Sequence, residues 1–146
     1  MPEIRLTKDE MQYMTLLETV AQVECHDCII DNEKGRIIFI VKEGDAGKAI
    51  GKNGVNVKRL SQILGKSIEI VEYSDNPVKL LMNAFTPAKV KEIRIVEKPN
   101  KGKLAIVVVE PKSKGLAIGR NGKNIDRVRK IAKRYFDIAH VVIREA

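Results

Sequence analysis

The sequence predicts an α+β protein made of two tandem copies of one small domain, residues 1–74 and 75–146. Each copy is ordered helix, strand, strand, helix, helix, strand. Three observations lead there. A shift of 68 residues lays Ile50-Gly51-Lys52-Asn53-Gly54 on Ile118-Gly119-Arg120-Asn121-Gly122. The same shift pairs Gly47 with Gly115, Ala49 with Ala117, Asn56 with Asn124, Arg59 with Arg127, Ile63 with Ile131 and Ile70 with Ile138. Helical and strand periodicities alternate in the same order on both sides of the midpoint, as an internal repeat requires.

In the first copy, Thr7 and Glu10 form a capping box, and Met11, Met14, Leu17 and Ala21 then make one apolar helix face. Val23 to Asp31 is a predicted strand, and Asn32 to Gly35 a turn. Arg36 to Lys42, with five consecutive apolar residues from Ile37 to Val41, predicts a strand buried on both faces. A short helix from Ala46 to Ile50 should stop at Gly51. Val57, Leu60, Ile63 and Leu64 define an amphipathic helix ended by Gly65, and Ser67 to Tyr73 is the last strand.

The second copy opens at Asp75-Asn76-Pro77, where Asn caps a helix and Pro suits its first turn. That helix runs from Val78 to Phe85 and ends before Pro87, because the residue preceding a proline resists helical geometry. Strands are predicted at 90–97 and 103–109, then a short helix, the second glycine loop, a helix with Ile125, Val128 and Ile131 on one face, and a strand at 136–143.

Charge separates the copies. Residues 1–75 hold ten Lys/Arg against thirteen Asp/Glu, whereas residues 76–146 hold seventeen against six. Between Lys112 and Arg134, nine basic side chains face one acid, Asp126. Such a field attracts polyanions and is an expected footprint of nucleic-acid binding. Aromatic residues are few and Trp is absent, which argues against extended base stacking on a sheet face.

Other chemistries are excluded or unsupported. Cys25 and Cys28 form a Cys-x-x-Cys, but a zinc site needs four ligands and the chain has no second Cys/His pair. A redox pair would sit where a strand gives way to a helix, whereas this one lies in a predicted strand, so both cysteines read as structural. His140, among Ile138, Val141 and Val142, reads as a strand residue. Gly47-Lys48-Ala49 and Gly51-Lys52-Asn53 lack the Ser or Thr that follows Lys in a magnesium-holding P-loop. No nucleophile–base constellation is visible, so the expectation is no enzyme, no cofactor, no metal and no small-molecule substrate. No stretch approaches a membrane span and no signal pattern opens the chain, so the expected compartment is the cytoplasm, without a membrane partner.

The glycine loops are the candidate site. A helix ending in Gly-x-x-Gly and followed at once by another helix turns sharply, and it brings unpaired N–H groups to a place suited to phosphate. Lys52 and Arg120 can meet phosphates as cations, and Asn53 and Asn121 can donate hydrogen bonds or cap the next helix. Gly51, Gly54, Gly119 and Gly122 allow close approach of a sugar-phosphate chain, and Ile50 and Ile118 are placed to line grooves for the bases. Lys48, Arg59, Lys114, Lys123 and Arg127 extend the basic rim.

These features resemble the KH-domain pair of the NusA transcription factors. The resemblance covers nearly the whole chain and rests on Ile50–Gly54, Ile118–Gly122, the helix-strand preamble of type II KH domains and the connector Met82-Asn83-Ala84-Phe85-Thr86-Pro87-Ala88-Lys89-Val90. The connector is its most specific part, and the form resembled is the short archaeal one with two KH domains. The resemblance implies tandem type II KH domains packed into one surface that holds single-stranded RNA. It further implies effects on transcription termination or antitermination, with RNA polymerase as a candidate partner. A ribosome-associated or RNA-processing KH protein without a transcriptional role is the alternative.

Overall fold

The computed structural model describes residues 3–146; Met1 and Pro2, at the start of the predicted first domain, lie outside the described residues. Residues Arg5–Ser74 form one compact unit, and Asp75–Ala146, with the described residues 3–4, form the other.

The first unit begins with helix α1 (Lys8–Ala21), started by the Thr7–Glu10 capping box. The Thr7 amide donates to Glu10 Oε1 at 2.7 Å, and the Glu10 amide donates to Thr7 Oγ1 at 3.2 Å. Gln22, in left-handed geometry, ends the helix. Strands β1 (Cys25–Asp31) and β2 (Arg36–Val41) follow, then α2 (Ala46–Ile50), a single 3-10 turn (Lys52–Gly54), α3 (Val55–Leu64) and β3 (Ser67–Glu72). The sheet order is β1-β2-β3, with β1 antiparallel to β2 and β2 parallel to β3. A parallel neighbour requires a crossover, and α2, the turn and α3 are that crossover.

Every residue of β2 is buried, as its unbroken apolar run predicts for a central strand. Ile37, Phe39 and Val41 join Leu17, Ala21, Ala49, Leu60 and Ile68 in one apolar cluster. Each of the Leu, Ile, Val and Phe side chains contributes roughly 1.5–3 kcal/mol by leaving water. Of the predicted α1 face, Leu17 and Ala21 are buried and Met14 packs half-buried against the cluster, but Met11, near the start of the helix, is 50% exposed. Ile63 of α3 is likewise 57% exposed, whereas its repeat partner Ile131 is fully buried.

β1 starts at Cys25, two residues later than expected, and a bulge lies between Cys25 and Asp27. Both cysteines are buried, and neither is in a disulfide. Burial pushes the Cys25 thiol up to about 12, so the sulfur stays protonated at neutral pH and donates instead to the Asp27 carbonyl at 3.3 Å. A protonated, buried sulfur is neither a ready metal ligand nor a nucleophile. Among the described residues no group of His, Cys, Asp and Glu could hold a metal ion, and no helix is long and apolar enough to cross a membrane.

A charged residue also lies inside this unit. Arg36 is fully buried at the start of β2, its Nε 2.8 Å from Asp31 Oδ2 and its Nη1 3.1 Å from Glu69 Oε1. The guanidinium thus ties β1, β2 and β3 together at one end of the sheet.

The second unit repeats the order with α4 (Pro77–Phe85), β4 (Glu92–Lys98), β5 (Gly102–Val109), α5 (Pro111–Ile118), a single 3-10 turn (Arg120–Gly122), α6 (Lys123–Phe136) and β6 (Ile138–Glu145). Asn76 caps α4 as predicted, its side chain accepting from the Lys79 amide at 3.1 Å. The sheet order is β4-β5-β6, again antiparallel and then parallel. Leu80, Leu81, Ala84 and Phe85 of α4 are buried, as are Ile125, Val128 and Ile131 on the predicted face of α6.

Candidate nucleic-acid interface

The two glycine loops have nearly the same backbone. Gly51 has φ 81° and ψ 166°, and Gly119 has φ 78° and ψ 168°. This region is open essentially to glycine alone, which explains the first glycine of each motif. Asn53 and Asn121 follow in left-handed geometry, with φ 55° and 56°, a conformation Asn tolerates better than most residues. Gly54 and Gly122, at φ 74° and 72°, start α3 and α6.

Two further contacts hold each bend, and they too repeat. The Gly51 amide donates to the Gly47 carbonyl at 3.0 Å and the Gly119 amide to the Gly115 carbonyl at 2.9 Å, closing the preceding helix. The Asn56 amide nitrogen donates to the Lys48 carbonyl at 3.1 Å, and the Asn124 amide nitrogen donates to the Leu116 carbonyl at 2.7 Å. These asparagines latch the outgoing helix to the incoming one. They were visible in the sequence only as a repeated pair, with no sign that they brace the site.

The close packing has a measurable consequence. A Cβ on Gly51 would meet side-chain atoms of Asn56 and Val55 at 2.8 and 2.9 Å, whereas a Cβ on Gly119 would meet the Asn124 backbone nitrogen at 2.8 Å. Side-chain ends can turn aside and backbone cannot. Gly119→Ala is therefore expected to destabilise its unit by about 1–3 kcal/mol and by more than Gly51→Ala does, read as urea-unfolding midpoints of the two variants. Equal losses would contradict the difference in packing.

The N-cap positions of α3 and α6 are Gly54 and Gly122, which have no side chain to offer the first amides, and Asn53 and Asn121 stand one residue before them. Lys52 and Arg120 are exposed, and among the described residues neither forms an ion pair. Lys48 and Arg59 are exposed too, and Lys123 is half-buried. Lys114 lies 3.5 Å from Glu145 and is partly neutralised.

Arg127 departs from expectation. The sequence puts it on the basic rim, but it is buried, with Nε donating to the Ala84 carbonyl at 2.8 Å and Nη2 to the Thr86 carbonyl at 3.3 Å. The cause is how α4 ends. Helix carbonyls at a C-terminus lack partners and carry partial negative charge, and a cation satisfies both conditions. α1 instead closes on left-handed Gln22, whose amide donates to Glu18, and the repeat partner Arg59 is left on the surface.

Apolar surface beside the loops is unequal. Ile50 is 39% exposed and Val55 nearly half, while in the second unit Ile118 is half-buried and Leu116 is the exposed apolar residue. Lys123 stands where the repeat has Val55, and Leu116 stands where it has Lys48, so each loop is flanked by one cation and one exposed apolar side chain in exchanged positions. Val55 and Leu116 were not singled out from the sequence. The mismatches of the repeat, Val55 against Lys123 and Lys48 against Leu116, mark both positions.

Comparison with known proteins accords with this geometry. A family model described as the NusA-like second KH domain matches residues 77–145, and a general KH-domain model matches residues 12–99. A probable transcription termination protein NusA of Methanocaldococcus jannaschii is 38% identical over 98% of this chain and 76% of its own length. The corresponding protein of Halobacterium salinarum is 34% identical over 92% of this chain and 94% of its own. The crystal structure of APE1850 superposes with a TM-score of 0.86 at 38% identity, covering 95% of this chain and all of that one. Two KH units, a family match over the second and similarity along nearly the whole length to archaeal termination proteins lead to one conclusion: the chain belongs to the NusA family.

Proposed function

We propose that the chain is a single-stranded RNA-binding transcription factor acting in termination or antitermination, with one KH domain in residues 1–74 and a second in residues 75–146. The observation that carries this reading is the pair of loops with one shared backbone, each offering an exposed cation at its centre. The first amides of α3 and α6, which open on glycines rather than on capping side chains, and the positive ends of those helices suit phosphate oxygens. Lys52 and Arg120 neutralise the strand there. Asn53 and Asn121 sit at the tips, and Gly51, Gly54, Gly119 and Gly122 let the sugar-phosphate chain come close. Ile50 and Ile118 offer apolar contact to bases, joined by Val55 and Leu116. Lys48, Arg59, Lys114 and Lys123 supply the rim, without Arg127. The names of the relatives support a place in transcription termination, and RNA polymerase is the candidate protein partner.

The test is a titration of the full chain with oligouridine, followed by backbone amide resonances and by affinity at several salt concentrations. Amides of residues 51–54 and 119–122 are expected to shift. With about five phosphates neutralised, the slope of log affinity against log salt should be near −3.5 for a single strand. Unmoved loop resonances, or a flat salt response, would remove the reading.

A further inference from the structure

The turn between β4 and β5 lies outside both loops and has a chemistry of its own. Pro99 and left-handed Asn100, with φ 65°, follow the pattern of a type II turn, closed by the Lys101 amide donating to the Lys98 carbonyl at 3.2 Å. A register shift between Lys103 and Leu104 sets His140 opposite Leu104 and leaves Ala139 as the extra residue on β6. Bulges of this kind redirect side chains. Here the result is a cleft of about 380 Å³ lined by Lys98, Asn100, Lys101, Gly102, Leu104 and His140. Its polar side chains all carry N–H donors, and two bear full positive charge. Neither Glu97 nor Asp137, the acids adjacent in sequence to this region, lines it.

We propose that this cleft is a second phosphate-binding site of the second unit. Its volume admits a phosphate with its sugar, Leu104 gives the sugar an apolar floor, and the lysines and the Asn100 amide hold the oxygens. It sits at the far end of α6 from the glycine loop: Lys103 Nζ donates to the carbonyl of Phe136, the last residue of that helix, at 3.3 Å. A helix of 14 residues is about 21 Å long. An unpaired strand gripped at Gly119–Gly122 could therefore lay a later phosphate here, and in that form the site rests on the proposed RNA reading. The corresponding turn of the first unit has a different chemistry: Glu33 stands among its residues, Lys66 Nζ donates to Asn32 Oδ1 at 2.8 Å, and Arg36 is buried against Asp31.

The experiment follows the amides of Asn100, Lys101, Gly102 and His140 in the full chain during separate titrations with oligouridine and inorganic pyrophosphate. The same titrations are run on the double variant K98E/K101E, whose exposed positions leave folding intact. Shifts with both ligands in the parent, lost in the variant, are expected. The variant's log affinity for oligouridine should also fall less steeply with log salt, by about 1.4 for two phosphate contacts. Shifts with pyrophosphate alone would support the site and assign it to a free phosphate compound. If oligouridine also left residues 119–122 unmoved, the RNA reading would fail while the anion site stood. Resonances unmoved by either ligand, or moved equally in K98E/K101E, would overturn the site, even where the glycine loops still responded to RNA.

Discussion

Replacing Lys52, Asn53, Arg120 and Asn121 together with Asp is expected to abolish RNA binding while leaving the chain folded. The change puts two carboxylates at the tip of each bend, where one cation now stands. Bringing phosphate against such a surface costs several kcal/mol. A loss of about 3 kcal/mol weakens binding by about a hundredfold. Folding should survive for stated reasons. Lys52, Asn53, Arg120 and Asn121 are exposed, Asp tolerates the left-handed geometry of the two Asn positions, and the latches of Asn56 and Asn124 are untouched. The measurement is oligouridine affinity, with far-UV circular dichroism and the urea midpoint as folding controls. A folded variant that binds as before would reduce both bends to structural turns. Loop-by-loop variants refine the test: given the higher net positive charge of the second unit, changing Arg120 and Asn121 alone should flatten the salt dependence more than changing Lys52 and Asn53 alone.

The largest expected effect on stability comes from Arg36→Met. The substitution leaves Asp31, whose side chain is 2% exposed, without the guanidinium 2.8 Å away. Removing one partner of a buried ion pair costs about 3–5 kcal/mol, because the remaining charge is stranded away from water. Small domains have total stabilities of roughly 5–15 kcal/mol, so the first unit should lose a large fraction of its own. Urea denaturation followed by hydrogen exchange at β2 amides measures it. The triple variant Arg36→Met, Asp31→Leu, Glu69→Leu should recover most of the loss, since apolar replacement of a whole buried ion network is often neutral or stabilising. Failure to recover would mean that the network sets the alignment of the three strands as well as satisfying its own charges.

The element order was legible because each element carries its own local signal. The Thr7–Glu10 box, Asn76 before Pro77, and Gly65 after Leu64 mark helix ends through contacts within a few residues, and the structure has them where the sequence puts them. The glycine bends were legible for the same reason. What escaped depends on residues distant in the chain. Arg127 is buried because carbonyls more than forty positions earlier need a donor, and no helical periodicity reveals that. Arg36 reads as an ordinary strand-end charge until Glu69 arrives on a parallel neighbour. Ile63 and Ile131 occupy equivalent repeat positions with opposite burial, which shows that duplicated sequence does not impose duplicated surroundings. The donor-lined cleft around Asn100 needed a bulge that pairs Leu104 with His140, a registration invisible in one dimension.

The asparagine latches bear on kinetics. Because Asn56 and Asn124 bolt each bend shut within the folded chain, the conformational freedom of the grip is surrendered during folding rather than during encounter. Preorganised partners lose less entropy on association, and their on-rates are governed by diffusion and charge steering instead of rearrangement. On the proposed RNA reading, capture of a single strand would then be paced by diffusion, and its release by how many of its phosphates are held at once.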